Sequence, residues 1–302
     1  MTTGMAVPCS SCAERGSFPG FMRVLQTTAR YAWKSTGASS ISIQAKSACV
    51  KGYAVNGSDW VLLVDVGNTR LKWAAGIPGE GLQQTGNVTH GGKVSSALLT
   101  SWEQLGRPHS VMVASVGGRN LLEQLRASVD GLWKLPVTTA TATGEFHGLR
   151  NCYSHPERLG VDRWLAMVAA RTLCSASFCV VDAGTALTID LVDVSGRHAG
   201  GMILPGLTMM MQSLKSGTAI PAYDEILTGK QLGCSTTEAM RLGCLHAQAG
   251  AIERILSTVA SEDCELLMTG GDARLVGSAV NYPHRTIEHL VLLGLLEMTA
   301  TN

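Results

Sequence analysis

The chain has 302 residues, 45% of them hydrophobic and 5% aromatic, with 24 basic and 23 acidic side chains and a formal net charge of +1. That length supports one large core or two moderate ones of roughly 100 to 130 residues, and so even a charge balance argues against a nucleic-acid or anionic-membrane surface. The longest late apolar run, Leu290 to Leu296 between Glu288 and Glu297, is far short of the roughly 20 residues needed to span a bilayer and reads as a buried terminal helix.

Nine cysteines, an odd number with no disulfide-like spacing, fit reduced thiols and a cytoplasmic location. Cys9 and Cys12 form a CxxC, but no second half completes a four-ligand zinc site. Up to Ser58 the sequence is rich in Ser, Thr, Gly and Ala, with Arg15, Arg23, Arg30, Lys34, Lys46 and Lys51 set against Glu14 alone. Residues 59–302 carry 18 basic and 22 acidic side chains, so composition shifts at this point. The basic, Ser-rich start superficially resembles an organelle transit peptide. Lacking the apolar periodicity of a packed domain, residues 1–58 are expected to be a disordered leader or a mis-assigned start.

From Trp60 the pattern sharpens. Trp60 to Val64 is an apolar run, Asp65 to Thr69 a polar turn, and Leu71 to Ala75 apolar again, which predicts strand, tight loop, strand. Val111 to Val116 reads as a buried strand, Asn120 to Val129 as a helix, and Leu159 to Ser175 as a helix starting near Val161, Asp162 and Arg163. Phe178 to Val181 then leads into Asp182, Ala183, Gly184 and Thr185, followed by Leu187 to Val192, repeating the first hairpin. VDVGNT and VDAGTA lie 117 residues apart, a domain-sized offset too long for a solenoid. Pro205 to Leu214 and Thr236 to Val259 are predicted helices, Glu265 to Met268 a strand, and Thr286 to Met298 a closing helix. The expectation is an α/β fold in two duplicated halves, 59–176 and 177–302, each opened by an antiparallel hairpin.

A hairpin that follows an apolar strand with Asp, a small residue, Gly and Thr suits nucleotide phosphates. Gly67 and Gly184 let backbone N–H groups approach an anion closely, Thr69 and Thr185 add hydroxyls, and Asp65 and Asp182 can hold a charge-balancing cation. Asp-x-Gly alone is also an ordinary turn signal, and the two equivalent copies are what lift the functional reading above it. A third turn, Thr269, Gly270, Gly271, Asp272, Ala273, could admit a flat base or ribose against bare backbone, or could simply start a helix with Asp272 as its cap.

Two phosphate hairpins and a GGD turn in a duplicated chain resemble the superfamily of acetate kinase, sugar kinases, heat-shock ATPases and actin. VDVGNTRLKWA (Val64 to Ala74), GLRNCYSHPERLGVDRW (Gly148 to Trp164), VVDAGTALTID (Val180 to Asp190), GGMILPGL (Gly200 to Leu207) and TGGDA (Thr269 to Ala273) together resemble type III pantothenate kinases of the Bvg accessory factor branch. The resemblance covers Trp60 to the C-terminus and implies a duplicated ribonuclease H-like, actin-like ATPase fold with a nucleotide cleft between similar halves.

The function so implied is ATP-dependent phosphorylation of pantothenate, with Mg2+ accompanying ATP and a K+ or NH4+ ion required. Asp65, Val66, Gly67, Asn68, Thr69, Arg70, Leu71 and Lys72 would form the first phosphate loop, with Asp65 near magnesium. Asp182 would bind the monovalent cation, and Thr185 would touch ATP. Tyr153, Gly160, Val161, Asp162, Arg163 and Thr237 would line the pantothenate pocket, Asp162 being the general base. Elementary chemistry agrees with that role: a carboxylate at a helix start can take the hydroxyl proton, while the adjacent Arg163 can pair a substrate carboxylate. The bland alternatives are that Asp162 caps its helix, Tyr153 fills core and Thr237 caps the helix after Ser235. Such kinases are homodimers with the site at the subunit interface, and no nucleic acid or membrane partner is expected.

Two positions depart from the family pattern: Cys152 stands where glycine is common beside the pocket tyrosine, and Leu187 where the second hairpin more often has Thr. Another kinase or phosphohydrolase of the superfamily, and a non-catalytic regulatory accessory protein, are the competing readings. The stretch from Tyr153 to Arg163 favours a pantothenate kinase over the first, and the presence of Asp65, Asp162 and Asp182 weighs against the second. His147, His155 and His284 show no metal-ligand spacing, and Met209 to Met211 read as core or dimer-facing packing.

Overall fold

The computed structural model describes residues 42–43, 59–217 and 231–299, all within one compact unit, Ser40–Asn302. The expectations for the leader and for Cys9 and Cys12 lie outside the described residues. The exception is Ser42–Ile43 (β1), a two-residue strand.

The first sheet begins with β2 (Val61–Val66), β3 (Arg70–Ile77) and β4 (Gly81–Thr89), an antiparallel meander. Helix α1 (Ser96–Leu105) leads to β5 (Ser110–Ser115), which joins β2 in parallel, and α2 (Arg119–Trp133) leads to β6 (Val137–Thr139), parallel to β5. A small hairpin, β7 (Glu145–Phe146) and β8 (Leu149–Arg150), precedes a 3-10 turn at Pro156–Arg158 and then α3 (Val161–Leu173).

The second sheet repeats the scheme. Strands β9 (Phe178–Ala183), β10 (Ala186–Val192) and β11 (His198–Pro205) form the antiparallel meander. Helices α4 (Leu207–Gly217) and α5 (Thr236–Thr258) lead to β12 (Glu265–Thr269), parallel to β9. Short α6 (Ala273–Gly277) leads to β13 (His284–Ile287), parallel to β12, and α7 (Leu290–Thr299) closes the described chain.

The strand orders are β4-β3-β2-β5-β6 and β11-β10-β9-β12-β13-β1. With β1 set aside the two sheets match strand for strand, in order and in sense, so the duplication read from two six-residue motifs extends to the whole topology. The fold is the duplicated ribonuclease H-like one.

Alternation along the hairpin strands explains the layering. In β2, Leu62, Val64 and Val66 pack with Trp102, Leu125 and Trp133 of α1 and α2, while Val61 and Leu63 face the central core of α3 and α7. In β9, Phe178 and Val180 face that same central core, while Cys179, Val181 and Ala183 pack with Ile252 and Leu256 of α5 and Val276 of α6. Helix α3 is therefore covered on every side, and Val161, Arg163 and each residue from Trp164 to Ala170 are buried, each large aliphatic side chain stabilising the fold by about 1.5–3 kcal/mol. It meets α7 where Gly294 faces the Leu165 carbonyl so closely that a Cβ would collide with it.

One expected element is corrected. Thr286 and Ile287 are the end of a strand, not the first turn of the closing helix. The break falls at His289, whose φ of 60° interrupts the chain before α7 begins.

Candidate active site

Both hairpin loops emerge at the same end of their sheets and touch: Thr69 Oγ1 lies 3.3 Å from Thr185 Oγ1. Each loop is closed by its glycine, Gly67 N–H donating to Arg70 O and Gly184 N–H to Ala186 O, both at 3.0 Å. Neighbouring backbone seals the second loop, since Gly206 donates to Thr185 O at 3.0 Å and has no room for a Cβ against the Gly184 and Thr185 carbonyls. The GGD turn docks on the same loop. Asp272 N–H donates to Ala183 O at 2.9 Å, and Gly270, with φ of 99°, lies against Ala183 O and Asp182 Oδ1. Asp272 starts α6 without a side-chain capping bond; burial raises its pKa, and Arg70 of the first loop opposes the rise.

Three carboxylates converge here. Burial pushes the Asp65 carboxyl up to about 7, with Lys72 opposing the shift and Asp182 and Asp162 adding to it. Burial likewise raises Asp182, against Lys72 and with Asp162. It raises Asp162 too, opposed by the hydrogen bond and charge of Arg163. Asp65 and Asp182 have no hydrogen bond or ion pair among the described residues, so Lys72 is the cation that both of them feel. Anions gathered in this way call for added positive charge.

Asp162 sits in the first turn of α3, whose N-cap is Gly160. Its Oδ1 accepts from Arg163 N–H at 2.8 Å and folds over Gly160, where any side chain would meet that oxygen. Asp162 is thus not the cap of its helix. Val161 is buried beside it.

Arg163 is engaged inwards. Its Nε and Nη2 donate to Asp190 Oδ2 and Oδ1 at 2.9 and 2.6 Å, and Nη1 donates to Tyr153 OH at 3.2 Å. Arg163 is 7% exposed and Asp190 2%. Burial alone would lower the arginine pKa, but the Asp190 bonds and charge more than offset it, so the guanidinium remains charged. Tyr153 lies near-parallel to His198, ring centroids 6.3 Å apart at 13°. His198, with no exposed surface, lies 3.0 Å from Asp190 Oδ1 through Nε2.

Thr237 lies within the first turn of α5, where Ser235 is the cap and accepts from Glu238 N–H; Thr237 makes no hydrogen bond to Tyr153, Asp162 or Arg163. Of the other named residues, Val66 and Leu71 are buried in the core under α1 and α2, so only their backbone can serve a ligand, whereas Asp65, Thr69, Lys72, Asp162, Asp182 and Thr185 lie together. Those missed from the sequence are Asp190, which holds Arg163, His198, which lies against Asp190 and Tyr153, and His90. Gly92 N–H donates to His90 Nδ1 at 2.9 Å, so Nδ1 carries no proton and Nε2–H donates to Gly67 O at 2.9 Å. This fixes a neutral tautomer that braces the first loop.

The side chains brought together here that could meet a cation are oxygen donors, the carboxylates of Asp65, Asp162 and Asp182 and the hydroxyls of Thr69 and Thr185, and among the described residues no group of three or more His, Cys, Asp or Glu could form a protein-only metal site. That donor set suits hard cations completed by phosphate oxygens or water rather than a resident zinc or iron.

A duplicated ribonuclease H-like fold whose two Asp-x-Gly hairpins touch beside a carboxylate at a helix start is the architecture of a superfamily that includes small-molecule kinases. The profile of the type III pantothenate kinases matches residues 61–258. The type III pantothenate kinase of Nitrosococcus oceani is 36% identical over 245 residues, covering 78% of this chain and 92% of its own. That of Chromobacterium violaceum is 36% identical over 247 residues, covering 80% and 99%. A Baf family transcriptional activator from Campylobacter jejuni superposes with a TM-score of 0.52 at 20% identity, over 80% of this chain and all of that one, which bears on fold alone. The chain belongs to the type III pantothenate kinase family.

Proposed function

We propose that the protein transfers the γ-phosphoryl group of ATP to pantothenate, giving 4'-phosphopantothenate, the first step of coenzyme A biosynthesis. The observation that carries this reading is the convergence of Asp162 with Asp65, Asp182 and Lys72 where Thr69 meets Thr185, together with family membership. Halves 59–176 and 177–302 close on the nucleotide. Thr69, Lys72 and Thr185 hold the phosphates together with backbone N–H groups of residues 68 and 69, the Gly67 N–H being the one that closes the loop onto Arg70 O. Asp65 would hold Mg2+ and Asp182 a K+ or NH4+ ion, supplying the positive charge that developing phosphoryl oxygens require.

Asp162 accepts the proton of the attacking hydroxyl. Its burial-raised pKa strengthens it as a base, while the Arg163 N–H fixes the carboxylate's orientation. Arg163 has two of its donor groups committed to Asp190, so it turns only Nη1, beside Tyr153, toward the acid. Pantothenate is positioned by this edge, by Gly160 and Val161, and by Thr237 supplied from a second copy of the chain. A homodimer is consistent with the exposed Met202 and Ile203 on edge strand β11 and Met209 on α4, an apolar surface a monomer would leave wet. No described helix is long and apolar enough to cross a membrane, and a cytoplasmic location follows from the reaction proposed.

The test is ATP consumption by purified protein with magnesium, with and without pantothenate, in sodium-only and in potassium or ammonium buffer. Turnover that needs both pantothenate and the monovalent cation supports the reading. Folded protein that consumes ATP only with another hydroxylated substrate, or with none, overturns it.

A further inference from the structure

Behind the acid pocket lies an arrangement that phosphoryl transfer does not require. Cys152 is exposed, and its Sγ lies 3.4 Å from His198 Nδ1. The other ring nitrogen, Nε2, is 3.0 Å from Asp190 Oδ1. A carboxylate held by Arg163 can only accept, so Nε2 carries hydrogen and Nδ1 presents a lone pair to the thiol. The imidazole is fully buried and oriented by Asp190, a carboxylate it shares with Arg163. Thiol, imidazole and carboxylate in this order form the arrangement that activates a cysteine nucleophile.

The other described thiols lack it. Burial pushes the thiols of Cys174, Cys179, Cys244 and Cys264 up and hides them. Cys234 is exposed but has no histidine against its sulfur.

We propose that Cys152 is a modification site, a nucleophilic thiol activated by His198 and Asp190 that exchanges with small disulfides and thereby closes the acid pocket. His198 Nδ1 takes the Cys152 proton. The thiolate attacks one sulfur of the disulfide, the old S–S bond breaks, and a new one joins Cys152 to that half. The other half leaves as a thiolate and recovers the proton from His198, so no oxidant beyond the disulfide is consumed. The adduct then stands next to Tyr153, whose hydroxyl accepts from the Arg163 edge not committed to Asp190, and blocks the approach of the substrate acid. A thiol reductant reverses the change.

The probe is bis(2-hydroxyethyl) disulfide on the intact wild-type chain, with modification of each cysteine followed by peptide mass mapping. Cys152 is expected to react at least about tenfold faster than Cys234, its exposed counterpart in the same molecule. His198→Gln, which keeps a hydrogen-bonding partner for Asp190, brings Cys152 down to the Cys234 rate. Equal rates for the two cysteines in the wild type overturn the activation, whether or not that variant folds. The pocket-closing half rests on the proposed kinase reading and has its own arm. Pantothenate turnover falls in step with Cys152 modification, recovers with dithiothreitol, and in Cys152→Ser is untouched by the disulfide. Turnover unchanged by complete Cys152 modification overturns the closure, while absence of turnover before any disulfide is added counts against the kinase reading alone.

Discussion

In the first hairpin the residue paired across from Asp65 is Lys72, whereas in the second the residue across from Asp182 is Thr188. Directly opposed residues share a face of the sheet, so the first loop brings its own cation to its carboxylate and the second does not. Lys72 opposes the pKa shift of both carboxylates, one positive charge for two, with Asp162 nearby as a third. Duplication preserved the hairpin backbone and let the charges diverge. On the proposed reading, a fixed ammonium beside Asp65 suits phosphate oxygens, and a carboxylate with no cation in its own hairpin suits an exchangeable one.

The largest expected effect comes from the carboxylate that belongs to neither hairpin. Asp162→Asn keeps the orienting acceptor for Arg163 N–H but cannot take a proton, so turnover falls by on the order of 10² or more. ATP affinity, read by calorimetry, stays within about threefold. Near-normal turnover would remove Asp162 from the base role and leave the hairpins as the whole catalytic apparatus.

Next, matched substitutions set one hairpin against the other. Asp65→Asn lowers turnover by about 10² through loss of charge at the phosphates, whereas Asp182→Asn mainly erases the difference between potassium and sodium buffers. Asp65→Asn also stabilises the ligand-free protein in a pH-dependent way. The folded carboxyl titrates near 7 against an ordinary 3.8. Between these values the folded state holds a proton the unfolded state has lost, and stability falls as pH rises. Above about pH 7 the full penalty is present, and the amide removes on the order of 2 kcal/mol of it once relaxation is allowed for. Melting should therefore rise by several degrees at about pH 8 and by less at about pH 5. A lower melting temperature at both would show that the carboxylate is compensated after all.

The contrast extends to the acid pocket, where charges are paired rather than bare. Asp190→Asn breaks the fork that holds Arg163, and the expected result is a KM for pantothenate about tenfold higher with the KM for ATP unchanged. Asp190→Glu, which restores the charge, should recover part of that loss. Equal weakening of both substrates would mean general loosening of the central core instead.

How much of this was legible in the sequence follows from the kind of signal each part leaves. The hairpins and the start of α3 carried dense local patterns, an apolar strand into Asp-x-Gly or a run into Val-Asp-Arg. Asp190 and His198 lie in β10 and β11, far along the chain from Arg163, so their roles exist only once α3 packs on the second sheet. A signal was present nonetheless: Asp190 interrupts the apolar run LTIDLV and Arg163 opens a helix apolar on all sides, and two buried opposite charges need each other. Strands β4 and β11 escaped because edge strands with half-exposed or outward-facing residues show no clean alternation. The start of the closing helix is not legible because LVLLGLL is apolar throughout and has no period to mark its beginning.

His90 had no signal at all, a lone histidine before two glycines, and it supplies the smallest test of the comparison. It braces the Gly67 carbonyl of the first loop, and the Gly67 N–H in turn closes that loop onto Arg70. The second loop is braced instead by backbone from Gly206 and Asp272. A side-chain brace can be removed without touching the fold, and one such hydrogen bond is worth about 0.5–1.5 kcal/mol. His90→Ala should therefore raise the KM for ATP by roughly three- to tenfold and leave the KM for pantothenate alone. His90→Gln, with an amide able to donate to the same carbonyl, should lie between. If alanine leaves ATP binding intact, the first loop holds its shape through Gly67 and Arg70 alone, and the two hairpins are mechanically as alike as their topology.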